Sequence, residues 1–212
     1  MENNKPILIT ISAPSGCGKD AIIEEVCKRL PHVGLSVSCT TRERRFDKKK
    51  NRWEQEGVDY FFIGQEEFDE KIRQNEFLEY ARFTKNWYGT PRAYVEELHA
   101  RGNDVVILNI ENQGAMQIKA MDPTAVSIFI LPPSARELRR RLIERAAETL
   151  EEIENRMVKN AEQLRMAYAF DYIVMNDVKE EAIEDVVHII AAERRKAYLH
   201  KRLIDQVNAT FG

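Results

Sequence analysis

The stretch SAPSGCGKDA, residues 12–21, constrains the fold of this chain more than any other, because it nearly matches the loop pattern G-x-x-x-x-G-K-[ST]. An apolar run at residues 6–12 predicts a buried strand before it, and residues 20–30 carry apolar side chains at helical spacing after it. Glycines between a strand and a helix let several backbone N–H groups point at one anion, and Lys19 adds a positive charge. The stretch therefore predicts a phosphate-binding loop.

Two residues of this loop depart from the pattern. Ala13 replaces the first glycine, which is tolerated if its φ is negative. Asp20 replaces the Ser or Thr whose neutral hydroxyl ordinarily ligates Mg²⁺. A carboxylate can also ligate Mg²⁺, since this ion favours oxygen ligands, but it adds negative charge beside the phosphates.

A related departure follows a second apolar run, residues 105–108. Asn109 stands there, where folds with such loops commonly place an Asp that helps to hold Mg²⁺. Asp20 thus gains a carboxylate where Asn109 lacks one. We hypothesise that the two replacements preserve the number of carboxylates around the metal, and the alternative is two independent replacements.

The rest of the chain alternates strand-like and helix-like patterns. Apolar runs at residues 105–110, 125–131 and 172–175 predict three more buried strands. Helical patterns cover residues 91–100, 113–120, 134–145, 149–169 and 180 to about 206. The alternation predicts an α/β fold, with a parallel sheet covered by helices on both faces in a three-layer α/β/α core.

Polar residues mark the starts of the later helices. Ser134 is a good N-cap, and Thr149 with Glu152 predicts a capping box. Asp177 with Glu180 resembles another capping box, before a long final helix.

Residues 35–88 differ from the rest, because they hold short runs rich in aromatic residues and one short helical pattern at residues 66–73. We expect a small β-rich insertion on the α/β core. The chain has no internal repeat and no Pro/Gly/Ser-rich linker, so its 212 residues are expected to form a single domain with lobes.

Composition disfavours several classes of protein. The net charge of −3 does not favour a nucleic-acid partner. No run approaches the roughly 20 apolar residues of a membrane span. Three cysteines form neither a disulfide framework nor a metal-ligand pattern, and the first residues lack the features of a signal peptide. We therefore expect a cytoplasmic protein without nucleic-acid or membrane partners.

Basic residues nevertheless cluster beside the phosphate signals. The two clusters are Arg42, Arg44, Arg45, Lys48, Lys49, Lys50 and Arg52, and then Arg136, Arg139, Arg140, Arg141 and Arg145.

Six further segments, in this order, resemble those of guanylate kinases, and the resemblance runs from about residue 6 to residue 195. They are SVSCTTRERR (36–45), GVDYFF (57–62), EFLEYARF (76–83), NWYGTPR (86–92), SIFILPPS (127–134) and DYIVMND (171–177). Each segment is a weak match alone, whereas six in order are specific. The resemblance implies transfer of the γ-phosphoryl group of ATP to GMP, giving ADP and GDP, with Mg²⁺, in purine nucleotide metabolism.

The same resemblance implies a division into three parts. The core would hold residues 1–35, 93–135 and 161–212, a GMP-binding lobe residues 36–92, and a helical lid residues 136–160. The implied partners are the small molecules ATP and GMP. A monomer and a homodimer both remain open.

The resemblance also assigns roles to single residues. The implied ATP-binding residues are Ala13, Pro14, Ser15, Gly16, Cys17, Gly18, Lys19, Asp20, Ala21 and Asn176. The implied GMP-phosphate ligands are Ser38, Arg42, Arg45, Tyr60 and Tyr88, and the implied guanine ligands are Glu79, Thr90 and Glu111. The implied catalytic cations are Lys19, Arg42, Arg141, Arg145 and Arg156. Asp20 and, through a water, Asn109 are the candidate metal ligands, and Asn176 could instead cap the last helix.

Three features depart from the family pattern. Glu111 stands where Asp is usual. The lid lacks the glycine that commonly follows its second arginine, here Arg145, so we expect a stiffer and more helical lid. The segment FDKKKNRWEQE, residues 46–56, is longer than the corresponding family turn, and we expect an exposed hairpin or loop.

Two other functions remain open from the residues. One is a catalytically weak, guanylate-kinase-like binding module that binds phosphorylated peptides, although Gly16, Gly18 and Lys19 are intact. The other is a kinase for a different phosphate ester, such as a ribose bisphosphate, because some of those kinases carry a similar G-K-D loop.

Overall fold

The computed structural model describes residues 5–47, 50–83, 85–144 and 149–211. In chain order its elements are β1 (Ile7–Ser12), α1 (Lys19–Arg29), β2 (Val33–Leu35), β3 (Cys39–Thr40), β4 (Phe46–Asp47), β5 (Arg52–Trp53), β6 (Phe61–Phe62), α2 (Gln65–Arg73), β7 (Phe77–Phe83), β8 (Asn86–Pro91), α3 (Arg92–Ala100), β9 (Val105–Asn109), α4 (Asn112–Met121), β10 (Val126–Leu131), α5 (Ala135–Glu144), α6 (Leu150–Arg165), β11 (Tyr172–Met175), α7 (Lys179–Glu193) and α8 (Lys201–Asn208).

A five-stranded, all-parallel sheet forms the centre, in the order β11-β10-β1-β9-β2. Every residue of β1 is buried, as expected for an apolar strand between two neighbours and two helical layers. Ser12 at its end donates a hydrogen bond from Oγ to the carbonyl of Ile110 at 2.8 Å. This bond fixes the start of the glycine loop against the end of β9.

Helices cover both faces of this sheet. On one face α1 and α7 bury apolar side chains such as Ile22 and Val186 against the strands. On the other face α3 and α4 do the same with Leu98 and Ile118. The predicted three-layer α/β/α core is therefore confirmed.

A second sheet holds four short strands in the order β6-β3-β8-β7. Strands β7 and β8 form its antiparallel hairpin, with Glu79 opposite Thr90. Helix α2 packs against the sheet through Phe68, which is fully buried beside Cys39 and Phe77. The expected β-rich insertion with one short helix is confirmed.

The long segment at residues 46–56 contains an antiparallel hairpin of β4 and β5, in which Phe46 pairs with Trp53. Both side chains are exposed and their rings meet edge to face. The expectation of an exposed hairpin is confirmed for the described part, and Lys48 and Lys49 lie outside the described residues.

Helices α5 and α6 pack on each other beside the glycine loop. Ser134 Oγ accepts a hydrogen bond from the Glu137 N–H, and Thr149 with Glu152 forms the predicted capping box. The α-helix predicted at residues 149–169 ends at Arg165 and continues as a 3-10 helix, Met166–Ala169. Arg145 lies outside the described residues, so the prediction of a more helical lid at that point does too.

The prediction of one long final helix is wrong. Helix α7 ends at Glu193, a 3-10 turn covers Ala197–His200, and α8 follows. The chain turns because Lys196 is extended (φ −60°, ψ 133°) and His200 Nε2 binds the Arg194 carbonyl at 2.9 Å.

The start of α7 also differs from the prediction. Val178, not Asp177, is the N-cap, and no side chain caps the helix there. The capping box predicted for Asp177 and Glu180 is therefore absent, because the helix begins one residue too late for it.

In the part of the chain that the structure describes, no helix is long and apolar enough to cross a membrane.

Candidate active site

The glycine loop adopts the path expected of a phosphate-binding loop. Gly16 (φ 95°) and Gly18 (φ 90°) both have positive φ, which L side chains rarely adopt. Gly18 is the N-cap of α1, so the loop leads straight into the positive end of the helix dipole. Ala13 is not among the described non-glycine residues with positive φ, so its methyl group is tolerated as expected.

One pocket of about 310 Å³ opens in front of this loop. All the predicted loop residues, 13–21, line it. Five more predicted residues also line it, and they are Ser38, Tyr60, Glu79, Tyr88 and Glu111. Asn109 also lines it. The fold thus brings the predicted donor and acceptor sites to one cavity.

Three lining residues were not predicted. Ala81 and Phe83 follow Glu79 at every second position of β7, and Ile110 directly follows β9. Strand alternation gave a signal for the first two, because residues i, i+2 and i+4 face the same side of a strand.

The two unusual metal-site residues are in contact. Asn109 donates a hydrogen bond from Nδ2 to Oδ1 of Asp20 at 3.0 Å. Asn109 ends β9 and Asp20 lies in the first turn of α1, so adjacent parts of the core place them together at the pocket. The two residues proposed to compensate for each other are therefore in direct contact.

Glu79 is the most deeply buried acid of the pocket, with only 4% of it exposed. Thr90 donates from Oγ1 to Glu79 Oε1 at 2.6 Å. Burial raises the pKa of Glu79 to about 7, although the hydrogen bonds from Thr90 act in the opposite direction. Without a ligand, therefore, protonated and ionised forms both exist near neutral pH.

Gly114 of α4 makes room for this carboxylate. A Cβ at Gly114 would overlap Glu79 Oε2 and lie 2.9 Å from its carboxyl carbon. Alanine is the better helix former, so glycine here costs helix stability and leaves space for the acid instead.

Glu111 is another acid that lines the pocket. It is the N-cap of α4, yet its side chain does not cap the helix. Its Oε2 accepts a hydrogen bond from Gln163 Nε2 of α6. Burial raises the pKa of Glu111, and the nearby Lys19 charge opposes that shift.

Arg42 lies behind the tyrosines rather than in the pocket wall. It binds Glu54 through both terminal nitrogens at 2.8 Å, and its guanidinium lies 5.2 Å from the ring centre of Tyr60. Burial opposes the charge of Arg42, but Glu54 holds its pKa above the usual range. Glu54, which sequence reasoning missed, also accepts from the Arg45 N–H at 2.8 Å.

Tyr60 and Tyr88 both line the pocket, and their rings are in contact with their centres 5.8 Å apart. Burial raises the pKa of Tyr60 to about 12, so its hydroxyl remains a neutral donor near neutral pH.

Two arginines of the predicted lid, in α5 and α6, and Asn176, directly after β11, contact the loop and its surroundings. Arg141 donates from Nε to Glu137 at 2.8 Å and from Nη1 to the Asn176 carbonyl at 3.1 Å. Asn176 donates from Nδ2 to the Cys17 carbonyl at 2.5 Å, so it supports the loop and does not cap α7. Arg156 donates from Nη1 to Ser15 Oγ at 2.9 Å.

Not all the predicted residues reach the pocket wall. Among the described residues, those that do not line it are Arg42, Arg45, Thr90, Arg141, Arg156 and Asn176. Thr90 and Arg42 still contact residues that do, Glu79 and Tyr60. Arg145 lies outside the described residues.

Comparison with known proteins decides the family. A protein-family model described as guanylate kinase matches residues 4–193. The chain is also 42% identical over 200 residues to the guanylate kinase of Clostridioides difficile (strain 630), covering 94% of each chain. The chain belongs to the guanylate kinase family.

A further relative and a solved structure support the same family assignment. It is 42% identical over 199 residues to the guanylate kinase of Thermotoga maritima, covering 94% of this chain and 93% of the relative. The crystal structure of guanylate kinase from Anaplasma phagocytophilum matches it with a TM-score of 0.72 and 32% identity, over 91% of this chain and 88% of that one. The resemblance predicted from six sequence segments is confirmed.

Proposed function

We propose that this chain transfers the γ-phosphoryl group of ATP to GMP, giving ADP and GDP, in the pocket between the glycine loop and the second sheet. One observation carries the assignment of the site: the glycine loop lines the same cavity as five predicted acceptor residues, here called the acceptor wall, which are Ser38, Tyr60, Glu79, Tyr88 and Glu111. Phosphoryl transfer needs little covalent chemistry from a protein, so positioning and charge neutralisation are sufficient.

On the donor side, residues 13–21 with Asn176 form the ATP site. Backbone N–H groups around Gly16 and Gly18 bind the phosphates, and Lys19 offsets their charge. Asn176 supports the loop through the Cys17 carbonyl.

On the acceptor side, Glu79 reads guanine. Its ionised carboxylate accepts from N1–H and the exocyclic amine, a donor pair that adenine does not present. Thr90 orients Glu79, and Glu111 is the second acid at the base. Burial of these acids strengthens the preference for a base that offers donors.

The GMP phosphate is held at the other end of the same wall. Ser38, Tyr60 and Tyr88 line the pocket there and supply hydroxyl donors. Arg42 and Arg45 add positive charge there. The two terminal nitrogens of Arg42 are bound to Glu54 in this structure, so a bidentate contact between Arg42 and the phosphate would require this ion pair to open.

Mg²⁺ fits the residues at the loop. Asp20 and Asn109 present oxygen ligands and are held together by their own hydrogen bond. Mg²⁺ commonly binds through one or two protein oxygens while water and substrate phosphates complete its shell. When bound, the ion would neutralise charge on the β- and γ-phosphates.

We further propose that the chain works as three parts, with residues 36–92 as the GMP-binding lobe, residues 136–160 as the lid and the remainder as the core. In this structure Arg141 contacts Asn176 and Arg156 contacts Ser15 of the loop, and neither arginine lines the pocket. Lid closure would carry their guanidinium groups, with that of Arg145, towards the transferring phosphoryl group and exclude water, while Asn160, the last residue of the lid, stays bound to the loop.

The cellular role proposed is purine nucleotide metabolism in the cytoplasm, as a monomer or homodimer without nucleic-acid or membrane partners. Cys17, Cys27 and Cys39, all of which the structure describes, form no disulfide with one another, which suits a reducing compartment.

A coupled assay with ATP, Mg²⁺ and each nucleoside monophosphate in turn tests the activity. We expect turnover with GMP and its loss in Lys19→Ala, while Lys28→Ala, at the exposed end of the same helix, retains it. A ribose bisphosphate in the same panel tests the alternative kinase. Absence of turnover with GMP would overturn the proposal.

A further inference from the structure

Helix α6 forms hydrogen bonds to the backbone N–H, the backbone C=O and the side-chain hydroxyl of one residue of the glycine loop, Ser15. Asn160 donates from Nδ2 to the Ser15 carbonyl at 3.0 Å and accepts at Oδ1 from the Ser15 N–H at 2.8 Å. One turn earlier, Arg156 donates to Ser15 Oγ at 2.9 Å. Ser15 immediately precedes the first positive-φ glycine, so these bonds act where the loop turns.

Asn160 occupies a position where packing alone would favour an apolar residue. It is 1% exposed and lies two helical turns after Ile153, the other fully buried residue of α6. A buried amide is tolerated only when its donor and acceptor are both satisfied, and here the backbone N–H and C=O of one residue, Ser15, satisfy both. The residue type is therefore explained by the loop.

The same face of α6 also touches the acceptor wall. Gln163 lies one turn beyond Asn160 and donates to Glu111, and its backbone carbonyl accepts from Asn112 Nδ2 at 2.9 Å. Helix α6 is thus bonded to the donor loop at Asn160 and to the acceptor wall at Gln163.

We propose that Asn160 is a positioning residue that holds the glycine loop in its nucleotide-binding conformation and sets it in register with α6. The loop N–H groups can point at phosphate only while the backbone of Ser15 keeps its conformation, because Asn160 holds the peptide groups on both sides of Ser15 and the second of these carries the next N–H along the loop. Asn160 fixes that orientation from outside the pocket. This role rests on the proposed ATP site.

The test uses the full chain with Asn160→Ala, and ADP as the probe in titration calorimetry. We expect the Kd for ADP and the KM for ATP to rise about tenfold, as the loss of two hydrogen bonds to the backbone of one loop residue predicts. The KM for GMP is expected to stay within about twofold, because Ser38, Tyr60 and Glu79 keep their places. Glu162→Ala, an exposed neighbour on α6, is the matched control.

Ser15→Ala separates the contact of Arg156 from the contacts of Asn160. It removes the hydroxyl bound by Arg156 but keeps both backbone hydrogen bonds between residue 15 and Asn160, so we expect a smaller change in the Kd for ADP. This variant also serves if Asn160→Ala does not fold, and an effect of tenfold or more from Ser15→Ala would overturn the proposal. Two results with Asn160→Ala would also overturn the proposal. One is a lower melting temperature with an unchanged Kd for ADP, and the other is an equal loss of affinity for ATP and GMP.

The measurement also separates this inference from the proposed function. ADP binding needs no acceptor, so a chain that binds ADP but does not phosphorylate GMP overturns the function and still tests Asn160. Failure of the unmodified chain to bind ADP would overturn both.

Discussion

Asn109 Nδ2 donates a hydrogen bond to Asp20 Oδ1 across 3.0 Å, joining the end of β9 to the first turn of α1. Each residue breaks a local pattern on its own, since one brings a carboxylate where a hydroxyl is usual and the other lacks an expected carboxylate. Their contact supplies the physical basis on which the two changes can compensate for each other.

A double-mutant cycle tests this compensation. Asp20→Ser alone removes the carboxylate of the pair, so we expect it to lower kcat and weaken Mg²⁺ binding. Asn109→Asp alone places two carboxylates in contact beside the nucleotide phosphates, so we expect it to lower kcat through repulsion between these charges. The double variant restores a hydroxyl and one carboxylate, and we expect a coupling energy of about 0.5–3 kcal/mol in its favour. Mg²⁺-dependent binding of ADP, measured by calorimetry, gives a readout besides turnover. Additive effects would show that the two replacements are independent.

Gly114→Ala is expected to weaken GMP binding. The new methyl group would overlap the Glu79 carboxylate and force it out of its place beside Thr90. We expect the KM for GMP to rise about tenfold or more, with the KM for ATP nearly unchanged, as for loss of a buried charged hydrogen bond. Steady-state kinetics with each substrate varied in turn measures the difference.

Two variants control that experiment. Gly64→Ala makes the same substitution where a Cβ meets nothing within 4 Å, and it should leave the KM for GMP unchanged. Glu79→Asp shortens the acid, so adding it to Gly114→Ala should recover part of the GMP affinity lost in the glycine variant. No recovery would argue that Gly114 acts elsewhere.

The raised pKa of Glu79 predicts a pH dependence. Because burial raises it from 4.5 to about 7, the folded protein holds this proton more tightly than the unfolded chain. Stability from this group is present below the unfolded pKa and is lost as pH rises towards 7, and the raised pKa of Glu111 acts in the same direction. GMP requires the ionised form, so the KM for GMP should fall as pH rises through about 7.

Glu79→Gln is the reference for both measurements. The phosphate of GMP itself ionises near pH 6, by analogy with other phosphate monoesters, so only the difference between the two proteins reports on Glu79. Thermal unfolding and KM should be measured at the same pH values. Parallel profiles in the two proteins would contradict the assignment.

The local sequence was enough to predict those elements that depend on residues close together in the chain. The apolar β-branched runs predicted β1, β9, β10 and β11, and the glycine spacing predicted the loop. Strand β2 was missed because three residues containing Gly34 have no readable periodicity. The end of α7 was missed because an extended Lys196 and a His200 contact stop it, without Pro or Gly.

The supporting contacts of the site could not be predicted in the same way. Asn160 and Ser15 are 145 residues apart, and Arg42 and Glu54 lie on either side of a hairpin of unusual length. Such pairs depend on how elements pack, and nothing in the residues nearby specifies a partner. The one available sign was a polar residue in the apolar stripe of α6.

Glu54→Ala is expected to destabilise the protein through Arg42. The pair is largely buried, with side-chain exposures of 8% for Arg42 and 15% for Glu54, so removing the acid leaves a desolvated guanidinium without its partner. We expect the free energy of unfolding to fall by about 2 kcal/mol, less than for a fully buried pair because some water reaches both groups. Glu56→Ala is the matched control, since its pair with Arg44 is about half exposed and should change stability by no more than about 0.5 kcal/mol. Denaturant unfolding of the three proteins measures both values, and equal losses would mean that burial of the Arg42 pair does not strengthen it.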